Sequence, residues 1–169
     1  MTLLKILLSL NATSWMAIIY IIKEGWTIGD IPSHMFDILL LLLPIFFSWL
    51  SLILIRFLGT ESPVNNCQDF ELADGEFLPV YLGYFFVSVG VSEHFTMAIV
   101  YLIVFIFTFI SQTQYFNPIY IMFGYHYYHV TTESGTKIFV IKKGKVIRNI
   151  KDLRFDHLHR LNDSTFLER

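Results

Sequence analysis

Ile38-Leu39-Leu40-Leu41-Leu42-Leu43-Pro44-Ile45-Phe46-Phe47-Ser48-Trp49-Leu50-Ser51-Leu52-Ile53-Leu54-Ile55 is the stretch that decides the fold. It carries no charge between Asp37 and Arg56, and at ~1.5 Å per residue its length approaches the ~30 Å hydrocarbon core of a bilayer. It is apolar on every side rather than along one stripe, which reads as a helix with lipid around it. Pro44 costs about 3 kcal/mol inside a soluble helix. In a bilayer, neighbouring helices and hydroxyls such as that of Ser48 re-satisfy the backbone, so a kink is expected rather than a break.

Three more apolar stretches flank this one, and together they predict spans at about 5–22, 37–57, 77–92 and 95–112. The third and fourth are separated only by Glu93 and His94. A continuous helix through that pair would hold ionisable groups in mid-membrane at several kcal/mol, so a tight helical hairpin with the pair at the far surface is expected. The composition agrees with a membrane protein: 54% of the residues are hydrophobic and 15% charged, against about 25% charged in a soluble domain, and the mean hydropathy is +0.56. The N-terminal MTLLKILLSL is read as a retained helix rather than a cleaved leader, because Asn11, Thr13 and Ser14 interrupt it and no small-residue cleavage pattern follows.

Net charge is only −2, but nine of the twelve Lys and Arg lie after residue 136. Basic residues near span ends are retained in the cytoplasm, so both termini and the 56–76 loop are expected on that side of the membrane. Cys67 is the only cysteine and excludes an intrachain disulfide.

After Ser111, Asn117-Pro118 breaks any helix, and Tyr115, Tyr120, Tyr125, Tyr127 and Tyr128 suit the membrane interface, where an amphipathic ring keeps one wet end. From there the pattern becomes short β-prone runs at about 125–132, 136–142 and 145–150, joined at Glu133-Ser134-Gly135 and Lys143-Gly144. The remainder suits one more strand or a short helix. The expected fold is thus a four-helix membrane α-helical domain over 1–114, followed by an interfacial segment and small cytoplasmic β-meander over 115–169 (α+β). Three strands of this size are marginal alone, so docking on a neighbouring copy or a partner is expected.

His126 and His129 fall on opposite faces of a strand and make a poor joint metal site. His157 and His159 share a face if extended, but no placed acid or thiol completes a ligand set. Glu93 with His94, and His34 with Asp37, read first as polar ends of helices. Asn11, Thr13 and Ser14 lie inside the first span, where polar side chains hydrogen-bond across helices; burial there also voids the Asn11-Ala12-Thr13 glycosylation sequon. Lys142, Lys143, Lys145, Arg148, Lys151 and Arg154 are candidates for contact with a partner or with anionic lipid headgroups, or for pairing with the acids Glu61, Asp69, Glu71, Asp74 and Glu76 of the 59–76 loop. No nucleophile elbow, P-loop, HExxH or dinucleotide fingerprint occurs. Neither an enzyme nor a cofactor or metal site is expected.

The order Tyr115-Phe116-Asn117-Pro118, Phe123-Gly124-Tyr125-His126-Tyr127-Tyr128, Gly135-Thr136-Lys137-Ile138-Phe139-Val140-Ile141 and Arg160-Leu161-Asn162-Asp163-Ser164-Thr165-Phe166-Leu167, behind four apolar spans, resembles the KwaA family, the membrane subunits of bacterial Kiwa anti-phage defence systems. That resemblance implies a homo-oligomer, a tetramer, in the inner membrane. It further implies a sensor or scaffold role that recruits or activates a cytoplasmic, DNA-associated KwaB-like partner, with no direct nucleic-acid binding by this chain. A small channel or transporter lined by Asn11, Thr13, Ser14 and Pro44 is the alternative.

Overall fold

A computed structural model describes residues 2–61, 67–111, 117–149 and 158–168. Four helices carry the apolar stretches: α1 (Thr2–Glu24), α2 (Ser33–Ile55), α3 (Phe77–Gly90) and α4 (His94–Ser111). Three helices, Leu3–Glu24, Ser33–Ile55 and His94–Ser111, are long and apolar enough to cross a membrane. The four expected spans therefore reduce to three of full length. α3 has 14 residues, about 21 Å at 1.5 Å per residue, because the extended segment from Val91 ends it before Glu93. The chain does break at 91–93, and Glu93 lies at the turn, its carboxylate accepting from Thr96 Oγ1 at 2.6 Å. Pro44 lies within α2, which runs on through it. Ser48 Oγ donates to the carbonyl of Pro44 itself at 2.6 Å.

α1 is the hub, packed against α2, α3 and α4. At one end Leu4 and Leu8 of α1 and Ile55 of α2 share a core with Tyr120, Tyr127, Phe139, Ile141 and Leu167. At the other end Lys23 Nζ donates to the Val91 carbonyl at 2.6 Å. The bundle therefore has a sheet end and a distal end, and the two ends of the chain, at Leu4 and Leu167, meet at the first.

The sheet is mixed, with the order β1-β5-β6-β4-β3-β2. Its strands are β1 (Thr60–Glu61), β2 (Cys67–Leu72), β3 (Tyr125–Thr132), β4 (Lys137–Lys143), β5 (Leu158–Arg160) and β6 (Thr165–Glu168). β3 and β4 occupy the expected runs and form the antiparallel hairpin, with Gly135 at φ 79° in its turn. The rest corrects the meander. β4 and β6 are parallel, Phe139 facing Thr165 and Ile141 facing Leu167, and a parallel pair needs a crossover connection. The 145–149 part of that connection is not a strand. It crosses the outer face of the sheet, where Ile147 packs on Tyr128, Val130, Ile138, Val140 and Leu158 and its N–H donates to the Tyr128 hydroxyl at 3.0 Å. That apolar face needs a cover, and Ile147 serves better there than in an added strand.

β1 and β2 come from the 59–76 segment, so the sheet crosses the division at 114/115. β2 escapes a sequence reading because it is an edge strand in which half the residues are polar, with a register shift between Cys67 and Asp69 and no period-two burial. One sheet face packs on the ends of α1 and α2, where each large apolar side chain fully buried contributes about 1.5–3 kcal/mol.

Candidate functional site: the junction of helices and sheet

Asn117 is where the sequence leaves one regime for the other. It precedes a short helix, α5 (Pro118–Met122), as its N-cap: the Asn117 side chain accepts from Ile119 N at 3.0 Å, and Pro118 occupies the first helical position. Asparagine at the cap followed by proline is a favoured helix start, so the pair that reads as a breaker also begins a new helix.

The rest of the Asn117 side chain is spent on the bundle. Its Nδ2 donates to Ser48 Oγ of α2 at 2.7 Å and to the amide oxygen of Asn11 in α1 at 2.8 Å. That orientation of Asn11 is set by its neighbours, since its oxygen then also faces Ser48 N at 3.3 Å and its Nδ2 donates to the Pro44 carbonyl at 3.3 Å. The Asn117 main chain is spent on the sheet. Asn117 N donates to the Tyr127 hydroxyl at 2.9 Å, and that hydroxyl donates back to the Asn117 carbonyl at 2.8 Å. A parallel link joins α2 to α5: Ser51 Oγ donates to the Ser48 carbonyl and stands 2.6 Å from the Tyr120 hydroxyl, its donor.

All these groups are buried. Burial raises the pKa of the Tyr127 phenol well above its ordinary value, and does the same to Tyr120, so both remain neutral donors. From β3 the chain of contacts continues outward. Tyr127 N donates to Asp74 Oδ1 at 2.7 Å, and Asp74 Oδ2 is 2.6 Å from His126 Nδ1. Glu76, at the entry to α3, meets His129 Nε2 at 2.9 Å. The buried part of this network, Asn11, Ser48, Asn117 and Tyr127, fixes one geometry, because leaving any of these members unpaired costs about 1–3 kcal/mol, whereas the Glu76–His129 pair is exposed and adds little. The arrangement locks α1, α2 and the start of α3 to one strand.

This corrects the reading of the tyrosines as interfacial anchors: Tyr120, Tyr125, Tyr127 and Tyr128 are inside the protein. Tyr127 stacks on Phe139, and burial likewise pushes the Tyr125 and Tyr128 phenols up. Tyr115 lies outside the described residues, as do Lys151, Arg154 and His157. Within α1, Asn11 is in the network, Thr13 Oγ1 donates to the Ser9 carbonyl at 2.9 Å and lies 3.4 Å from the Tyr101 hydroxyl, and Ser14 bonds back to the Asn11 carbonyl. Lys142 is engaged by the buried Glu168, and Lys143 lies over the Tyr125 ring at 5.7 Å. Lys145 and Arg148 are exposed. Asp74 and Glu76 therefore partner histidines of β3 rather than these cations.

At the distal end, His94 Nδ1 is 2.7 Å from the Tyr20 hydroxyl, and its ring meets Trp26 edge-on at 5.2 Å. His34 is exposed and Asp37 half-buried, one turn into α2. His159 Nδ1 lies 3.1 Å from the Leu58 carbonyl. Ser51 and the capping role of Asn117 escape a reading of the sequence, where Asp74 stands only as one loop acid among five.

No curated protein and no solved structure matches the chain. The family model for the anti-phage protein KwaA matches residues 4–167, from the first turn of α1 to the penultimate residue of β6, and the chain belongs to that anti-phage family.

Proposed function

We propose that this protein serves anti-phage defence as a membrane-seated sensor and scaffold: its helices lie in the bacterial inner membrane, and their state is passed to a cytoplasmic sheet that recruits or activates a DNA-associated partner. The observation that carries this reading is the junction at Asn117. A single residue bonds α1, α2 and β3, so a shift of α1 against α2 reaches the sheet as a change in hydrogen bonding rather than being absorbed. Nine cations after residue 136 support a cytoplasmic sheet end. The exposed Lys145 and Arg148 are the surface offered to the partner, and a homo-oligomer, a tetramer, is the state in which the helices would act.

The polar groups of α1 weigh against a conducting path, since Asn11 and Thr13 are engaged by other protein atoms. Asn117→Ala, which removes the bonds to Asn11 and Ser48, tests the transmission. Membrane insertion and family-partner co-purification are expected to persist while protection against phage is lost. Protection at the level of the unmodified chain overturns the reading.

A further inference from the structure

The distal end of the bundle holds a recess that the junction does not use. The link between α1 and α2, 25–32, folds so that Trp26 and Ile28 overhang the groove between the two helices; both are exposed, at 48% and 66%. Beneath them is a space of about 630 Å³. Phe36 and Leu40, both buried, form its floor, with Ile21 of α1 beside them, and Leu39 and Leu43 form its open rim. Thr27 is the one polar lining residue. Leu39 and Leu43 continue onto the exposed face of α2, with Leu42 and Phe46, so the recess opens sideways, onto the apolar flank of a membrane-length helix.

We infer that this recess holds an acyl chain of a zwitterionic phospholipid from the leaflet opposite the sheet. The inference rests on the reading that α1 and α2 lie in a bilayer. The size argues for the occupant. One turn of an α-helix, a cylinder of ~10–12 Å diameter and ~5.4 Å pitch, fills about 500 Å³, so a helix from a second copy would seat little more than one turn under the overhang. A flexible hydrocarbon chain can lie along the whole groove. The headgroup class follows from charge: the ionised groups at this end are Glu24, Asp30, Asp37 and Glu93 against Lys23, and Lys23 is already 3.0 Å from Glu24. An anionic headgroup is repelled there, and one carrying an amine is not. Trp26 is placed to report on the bound chain, one side over this recess and the other against His94.

The test uses the full chain with W15F and W49F, which leaves Trp26 as the only tryptophan, in phosphatidylglycerol vesicles. Phosphatidylethanolamine brominated at mid-chain is added at rising mole fraction, and in parallel phosphatidylglycerol with the same chains. Trp26 quenching is expected to saturate, with a midpoint several-fold lower for the ethanolamine lipid. Leu43→Phe, which narrows the open rim of the recess, should raise the midpoint several-fold without displacing the protein from the vesicles. Linear quenching by both lipids, unmoved by Leu43→Phe, overturns the site: Trp26 then touches bulk lipid only. Quenching that falls as protein density rises overturns it in favour of a second copy. Failure to enter vesicles at all removes the membrane reading along with it, an outcome distinct from both.

Discussion

Asn117→Ala is the substitution on which the junction stands or falls. It removes the cap on Ile119 N, which is worth about 1 kcal/mol, and the two bonds from Nδ2 to Ser48 Oγ and Asn11, each about 0.5–1.5 kcal/mol. The sum is about 2–4 kcal/mol. At roughly 2–4 °C per kcal/mol for a chain of this length, melting in detergent should fall by on the order of 10 °C. Asn117→Ser keeps a capping oxygen but cannot span to Asn11, so it should recover about 1 kcal/mol and no more. Asn11→Ala strips the same bond from the other side. In the double variant the shared contact is lost only once, and the two effects should fall short of additivity by about 0.5–1.5 kcal/mol. Thermal melts followed by the near-ultraviolet signal of the buried tyrosines would measure this cycle. Additivity to within about 0.3 kcal/mol would mean that α1 and the cap do not communicate, and the argument for transmission through this residue would be refuted.

Alkaline titration checks the buried phenols. Tyr127 and Tyr120 have folded pKa values raised by burial, so the stability they contribute is fully present below their unfolded value of about 10 and is lost as pH rises through the folded value. The native protein should therefore hold constant stability to about pH 10 and then unfold as these phenols ionise, with a late absorbance step at 295 nm. Full ionisation at the ordinary value in a still-folded chain would contradict the burial. Lys142→Met should cost about 2–3 kcal/mol by leaving the Glu168 carboxylate buried without its cation, and adding Glu168→Leu should restore much of that loss. If the single substitution is neutral in chemical denaturation, the pair adds nothing to stability.

Composition and contiguous apolarity are one-dimensional properties, and they alone determined the helical segments, the break at Glu93, the β3–β4 hairpin with its glycine turn, and the family likeness. No partner has to be known to see that Ile38–Ile55 is too apolar for water. The pairing of β4 with β6 in parallel, the recruitment of β2 from the loop before α3, and the use of 145–149 as a cover rather than a strand were decided in three dimensions. Each depends on which apolar face remained uncovered once the rest had folded. The tyrosines show the same division. Their amphipathic character is visible in the chain, but a phenol with one wet end and a phenol bonded to a buried main chain look alike until Asn117 and the ends of α1 and α2 are brought beside them. What tertiary structure alone supplied was the meeting of Asn11, Ser48, Asn117 and Tyr127, because hydrogen bonding between residues so far apart in sequence is set by packing and leaves no local pattern.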